Sequence, residues 1–274
     1  MPAVTAASTM DEDPLHGACL ADEPWVGAVE GHRSSAPGTE LARRRRLTSE
    51  RRVPERQRDV WRWNVALVEG LSGNPAQALV SLAATAATIE ADEHVDARTT
   101  YHKARALVHL AAGNVDQAFA DAAAVVALDP AGTNSAQALG IQAHAALWAE
   151  DLAGAQAALS GMEQFRGRWM RAARRATEAG VAALEGRVSE AVTAYGEAAA
   201  AWRALRTPFD FALCGLDAAF LLQEADRPHD LVAAAREELS VMGAAPFLAL
   251  ADARTGGGTA DAAPMQERAR STTS

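Results

Sequence analysis

Aromatic residues make up only 5% of this 274-residue chain, and cysteine occurs twice, at Cys19 and Cys214. Two thiols, one in a loop-like stretch and one in an apolar helical run, imply no disulfide framework, which fits a reducing compartment. No stretch approaches the roughly 20 apolar residues of a membrane span. Asp11, Glu12 and Asp13 interrupt the N-terminus before a hydrophobic signal core can form. His16-Gly17-Ala18-Cys19 has no apolar segment ahead of it, so it does not read as a lipid-attachment site. Together these absences predict a cytoplasmic protein with no membrane contact. Val and Ile do not gather in alternating runs, which argues against a substantial sheet. Lysine is almost missing too: of 26 basic residues only Lys103 is a lysine.

What is abundant is alanine, within a hydrophobic fraction of 49%. Alanine is the best helix former and adds little volume, so the composition is that of closely packed helices. The net charge of −9 is unevenly spread. Residues 1–40 hold one basic and seven acidic residues, whereas residues 41–62 hold nine arginines and three acids. The body that follows is acidic, and phosphate binding needs a positive surface, so nucleic acid is not expected on the folded body. Residues 1–57 lack helical periodicity and collect Pro, Gly, Ser and block charges, the pattern of a disordered segment. Residues 254–274, with Gly256-Gly257-Gly258, read the same way, leaving 58–253 as the folded region.

Within that region five breaks line up. Gly73-Asn74-Pro75 leads to Ala78, Gly113-Asn114-Val115 to Ala118, Glu150-Asp151-Leu152 to Ala155, and Gly186-Arg187-Val188 to Ala191. A weaker copy, Asp226-Arg227-Pro228, leads to Leu231. Each offset is five residues, and successive breaks lie 40, 37, 36 and 40 residues apart. Such a period marks a helical solenoid. The chemistry agrees. Gly73 and Gly113 suit the left-handed residue that closes a helix, Asn74, Asn114 and Asp151 suit the cap of the next, and Pro75 suits its first position. The small residues Ala78, Ala118, Ala155 and Ala191 let paired helices approach closely.

Gly113, Ala118, Phe119 and Leu128-Asp129-Pro130, with Gly186, Ala191, Tyr195 and Ala198 later, stand at tetratricopeptide (TPR) spacing. The chain over about residues 60–250 resembles that family. The resemblance implies an all-α, right-handed superhelical solenoid of about five helix-turn-helix repeats. The period exceeds the family's usual 34, and only one unit ends in Asp-Pro. Trp202, Leu205, Pro208, Ala212, Ala218, Leu222, Gly243, Ala244 and Pro246 also resemble the C-terminal region of LuxR-type ATP-dependent regulators and multidomain adenylate/guanylate cyclases. That group usually has glycine where Arg206 stands. No Walker-type motif, cyclase core or helix-turn-helix accompanies the match, so the alternative reading is a regulatory, signal-coupling fragment of such a system.

In TPR repeats the first helix of each pair lines a concave groove. The resemblance places Trp63, Leu67, Lys103, Leu107, Leu110, His144 and Trp148 on it, followed by Ala176 and Gly180. Either these side chains form a mainly apolar groove for a protein or peptide partner, or they pack between helices. Lys103 stands almost alone among apolar groove positions, so a clamp for a terminal carboxylate is not expected. Arg43–Arg46 reads as a solvated basic linker, with nucleic acid, an acidic membrane or the acidic body as other contacts. Arg168, Arg171, Arg174 and Arg175 form a helical cluster in which Glu178 is placed to pair with Arg174 or Arg175. His102 and His109 stand seven residues apart, not at the four-residue spacing of helical metal ligands, and no metal or cofactor is expected. Cys214 and Tyr195 have no neighbouring base, so the chain does not read as an enzyme.

Overall fold

The computed structural model describes residues 55–255, so the N-terminal stretch through Pro54, with Cys19 and Arg43–Arg46, and the tail beyond Thr255 lie outside it. Among the described residues the chain is all-helical, with twelve α-helices, one short 3-10 turn at Glu224–Asp226 and no strand. In order these are α1 (Glu55–Ser72), α2 (Pro75–Ala83), α3 (Ala86–Glu90), α4 (Val95–Ala111), α5 (Val115–Leu128) and α6 (Thr133–Trp148). Then come α7 (Leu152–Met162), α8 (Arg168–Leu184), α9 (Val188–Leu205), α10 (Pro208–Leu221), α11 (His229–Met242) and α12 (Ala245–Thr255). Helix therefore begins three residues before position 58 and runs two residues beyond 253.

The turns explain the pairing. The first residue of each of the four strongest breaks has positive φ: Gly73 at 153°, Gly113 at 74°, Glu150 at 57° and Gly186 at 76°. Glu150 and Arg206 (φ 59°) hold this left-handed conformation without being glycine, and each ends a helix there. Asn74 Oδ1 accepts from the Gln77 N–H at 3.2 Å and Asp151 Oδ1 from that of Gly154 at 3.0 Å. Asn114 departs from expectation. It makes no side-chain cap, and its amide lies 3.5 Å from His109 Nδ1 instead.

Helices pack in pairs, α1 with α2, α4 with α5, α6 with α7, α8 with α9 and α10 with α11. Ala78, Ala118, Ala155 and Ala191 are each fully buried. Their smallness is used: a methyl added to Gly70 would sit 3.1 Å from the Ala78 methyl, and one on Gly154 3.2 Å from that of Ala146. The first helices of successive pairs also touch in sequence, α1 with α4, α4 with α6, α6 with α8 and α8 with α10.

Two contacts run farther. Helix α6 reaches α10, past the intervening pair, and α12 packs against α1 and α4 as well as α10 and α11. Small side chains on α8 allow the first. Ala173, Ala176 and Ala179 are buried there, and Leu147 of α6 occupies the space a Gly180 side chain would need, 2.5 Å from its Cβ position. With so little volume on their inner faces the first helices draw together, and the last closes against the first.

Candidate functional site

The inner faces of the first helices meet around a buried polar cluster. On α6 the residues pointing inward recur at three- and four-residue spacing, as Gln137, Gly140, His144 and Trp148. From α10, Asp217 meets them: its side chain is fully buried, with Oδ2 2.9 Å from His144 Nδ1 and Oδ1 2.7 Å from Trp148 Nε1. A carboxylate only accepts, so Nδ1 is the protonated nitrogen of His144. Burial works against the charged imidazole, but the charge and hydrogen bond of Asp217, joined by Asp210, outweigh it and raise its pKa.

Asp210 stands in the first turn of α10, where its Oδ2 accepts from Trp169 Nε1 at 3.3 Å and it bonds with Thr207. Burial pushes its pKa up to about 6, against the pull of the Trp169 bond and of His144. Trp169 lies over Gly140, its ring edge 3.5 Å from where a Cβ would stand, and packs edge-on against Trp202 at 5.5 Å. Tyr195 and Cys214 are buried close by, and burial, reinforced by Asp217, pushes both well above their ordinary values. Neither is poised as a nucleophile, because the ionised form of each is disfavoured.

The side chains expected to line a groove sit differently from an open surface. Trp63, Leu67, Leu107 and Leu110 are buried between helices. Trp148 is 3% exposed, its ring meeting Phe220 of α10 at 5.1 Å and Phe247 of α12 at 6.2 Å. His144 keeps 15% of its side chain accessible. Lys103, expected as an exposed polar point, is 4% exposed; its ammonium donates to Asn134 Oδ1 at 2.8 Å and Gln137 Oε1 at 2.5 Å, tying α4 to α6. Ala176 and Gly180 are buried at the α6–α8 contact. The physical reason is shared: small residues let the first helices approach closely, and α12 fills part of the space that remains between them. The accessible inner positions are the part-exposed Gln137, Gly140, His144, Trp169 and Asp210.

A second cluster lies between α4 and α5. Asp121, buried, accepts from Arg105 Nε at 2.7 Å and from its Nη2, with His102 Nδ1 at 3.1 Å and His109 Nε2 at 3.8 Å. The two histidines thus converge on one carboxylate although seven residues separate them. Burial raises the Asp121 pKa, yet the bonds from His102 and Arg105 hold it below the ordinary carboxylate value. Burial lowers that of His109. Arg105 fills the place a cation would take, and among the described residues no group of His, Cys, Asp and Glu is arranged to hold a metal ion. On α8, Glu178 pairs with Arg175, at 3.0 Å, and Arg175 also reaches Glu197 at 2.7 Å.

Asp217, Asp210 and Asp121 carry these clusters, and none stood out as a site residue in the sequence. The available signal was an acid inside an apolar run, as in Cys214-Gly215-Leu216-Asp217-Ala218-Ala219 and Phe119-Ala120-Asp121-Ala122-Ala123. A buried acid needs a partner. No helix among the described residues is long and apolar enough to cross a membrane. No protein-family model, curated protein or solved structure matches the chain.

Proposed function

We propose that the chain is a non-catalytic, cytoplasmic scaffold. It binds a protein or peptide on the inner face of a TPR-like, right-handed superhelical solenoid of about five helix pairs. The observation that supports this reading is the strip of part-exposed Gln137, Gly140, His144, Trp169 and Asp210 on first-helix faces that otherwise pack inward. It combines an indole, a carboxylate and an imidazole, with the indole seated over Gly140, the mix of apolar body and few polar points that peptide sites use. A photo-reactive residue at Gln137 tests it, with the same group at Gln117, exposed on the second helix α5, as comparison. Partner cross-links from position 137 and not 117 are expected; cross-links from 117 alone overturn the reading.

A second reading is supported by one turn. Arg206 takes the left-handed conformation at the position where the C-terminal regions of LuxR-type ATPase regulators and nucleotide cyclases carry glycine, with Trp202 buried before it and Pro208 opening α10 after it. On this reading the partner is an ATPase or cyclase chain that the protein restrains or recruits. The cross-linked partner's identity separates the two readings.

A further inference from the structure

Helix α12 is a short helix laid against the inner faces of helices far from it in sequence. Phe247 is fully buried, with its ring centroid 5.5 Å from that of Phe209 and 6.2 Å from that of Trp148. Leu250 reaches the α4 end, 3.0 Å from where a Gly113 Cβ would stand, and Ala251 is buried on the same side. Arg254 Nη2 donates to the Trp148 carbonyl at 2.9 Å while its guanidinium lies 4.7 Å over the Phe220 ring. Ala249 and Ala253 are exposed on the other side, and the exposed Asp252 pairs with Arg236 of α11. Anchors at positions i, i+3, i+4 and i+7 on one face, set into a surface built by other helices, are the geometry of helix-in-groove recognition.

Two features set this helix off from the pairs before it. It is joined to α11 through Gly243, whose φ of 70° is the left-handed value glycine adopts without strain, and no atom crowds that glycine. Gly256-Gly257-Gly258 follows it in the sequence. The seat, in turn, has one support that α12 does not supply. The Trp148 indole is held by its bond to Asp217, which His144 also holds, so its orientation is fixed from α10 and not from α12. A preoriented indole flanked by Phe209 and Phe220 is the kind of anchor that dominates interfaces.

Resting on the reading of the inner face as the binding surface, we infer that α12 is the exchangeable resident of the Trp148, Phe209 and Phe220 seat, which adjoins the part-exposed strip at His144. The partner this surface fits is an amphipathic helix with the same anchors: phenylalanine, leucine and alanine three and four residues on, and arginine seven residues on. A tethered helix competes at an effective concentration on the order of millimolar, so the unaltered chain binds such a partner weakly until α12 is loosened.

The test uses the full chain and a fluorescein-labelled peptide with the sequence of Ala244–Thr255, read by fluorescence anisotropy. Phe247→Ala removes the central anchor of α12 and is expected to bind the peptide at least tenfold more tightly than the unaltered chain. Arg254→Ala, which removes the polar anchor and leaves Phe247 in place, is expected to gain roughly threefold, and it decides the matter if circular dichroism shows Phe247→Ala unfolded. A peptide with its phenylalanine replaced by alanine is expected to bind none of them. Folded variants that bind the peptide no better than the unaltered chain overturn the proposal and make α12 a fixed part of the core. Cross-links to a partner from position 137 with no peptide exchange leave the groove reading standing and refute only this step. Peptide exchange with cross-links from 117 alone does the reverse.

Discussion

Asp121 and Asp217 are both buried carboxylates on helices, yet they are neutralised in different ways. Asp121 pairs with Arg105 from the adjacent helix of its own hairpin, 16 residues away, and Arg105 remains charged at any physiological pH. Asp217 pairs with His144, 73 residues away, and with the indole of Trp148. The first cluster is local and carries a permanent charge pair. The second is tertiary, joins α6 to α10, and depends on an imidazole that titrates. The comparison teaches that one hairpin secures its own polar residues, whereas the join between α6 and α10 includes a partner whose charge changes with pH.

Removing the carboxylates separates the two most strongly. Asp217→Ala leaves the Trp148 N–H and the His144 imidazole buried without their acceptor and is expected to cost about 3–5 kcal/mol, the usual penalty for breaking a buried pair. Asp121→Ala leaves Arg105, whose side chain is 27% exposed and reaches water, so a smaller loss of about 1–2 kcal/mol is expected. Urea unfolding of both variants checks the order; equal losses would erase the distinction.

Proton linkage sharpens it. Folded Asp210 holds its proton up to about pH 6, against an ordinary value of 3.8. In that window the folded state binds more protons than the unfolded one, so stability falls as pH rises, by on the order of 2–3 kcal/mol across it. His144, raised above 6.5, adds a further fall as pH climbs through its folded value. Asp210→Asn is expected to flatten the stability profile between about pH 4 and pH 6, while Asp121→Asn leaves that stretch of the profile unchanged. A profile that Asp210→Asn leaves as steep as before would count against the account.

The smallest effects lie at the turns. Glu150→Gly and Arg206→Gly each relieve a left-handed non-glycine residue and are expected to stabilise the chain by up to about 1 kcal/mol in thermal melts, part of the gain being offset by the looser unfolded chain.

The turns were the most legible part of the sequence. Gly73, Gly113 and Gly186 close helices with the positive φ their residue type suggests, and even Glu150 does so where the spacing places a break. The four spaced alanines are buried for a reason visible in their size. Closure was not legible, because it depends on pairings such as His144 with Asp217 and Trp148 with Phe247 that follow no repeat period. The same small inner residues that read as a groove floor let the helices approach until little groove was left. Lys103 misled for a related reason: its amide acceptors, Asn134 and Gln137, sit on the next unit and gave no local signal. Asp121 and Asp217 were readable in principle, each an acid past the first turn of an otherwise apolar helix.

The most direct test of closure is the distance between α4 and α12. Nitroxide labels at the exposed Asn114 and Ala249 flank the contact between Gly113 and Leu250. Double electron–electron resonance on the full chain is expected to give one short population, below roughly 20 Å, since one packed-helix spacing of about 8–10 Å plus two label arms separates the spins. In an open array α12, which follows the fifth pair, stands four packing steps from the second pair, which puts the labels at roughly 40 Å. A dominant population at that longer distance would contradict an array closed on itself by α12.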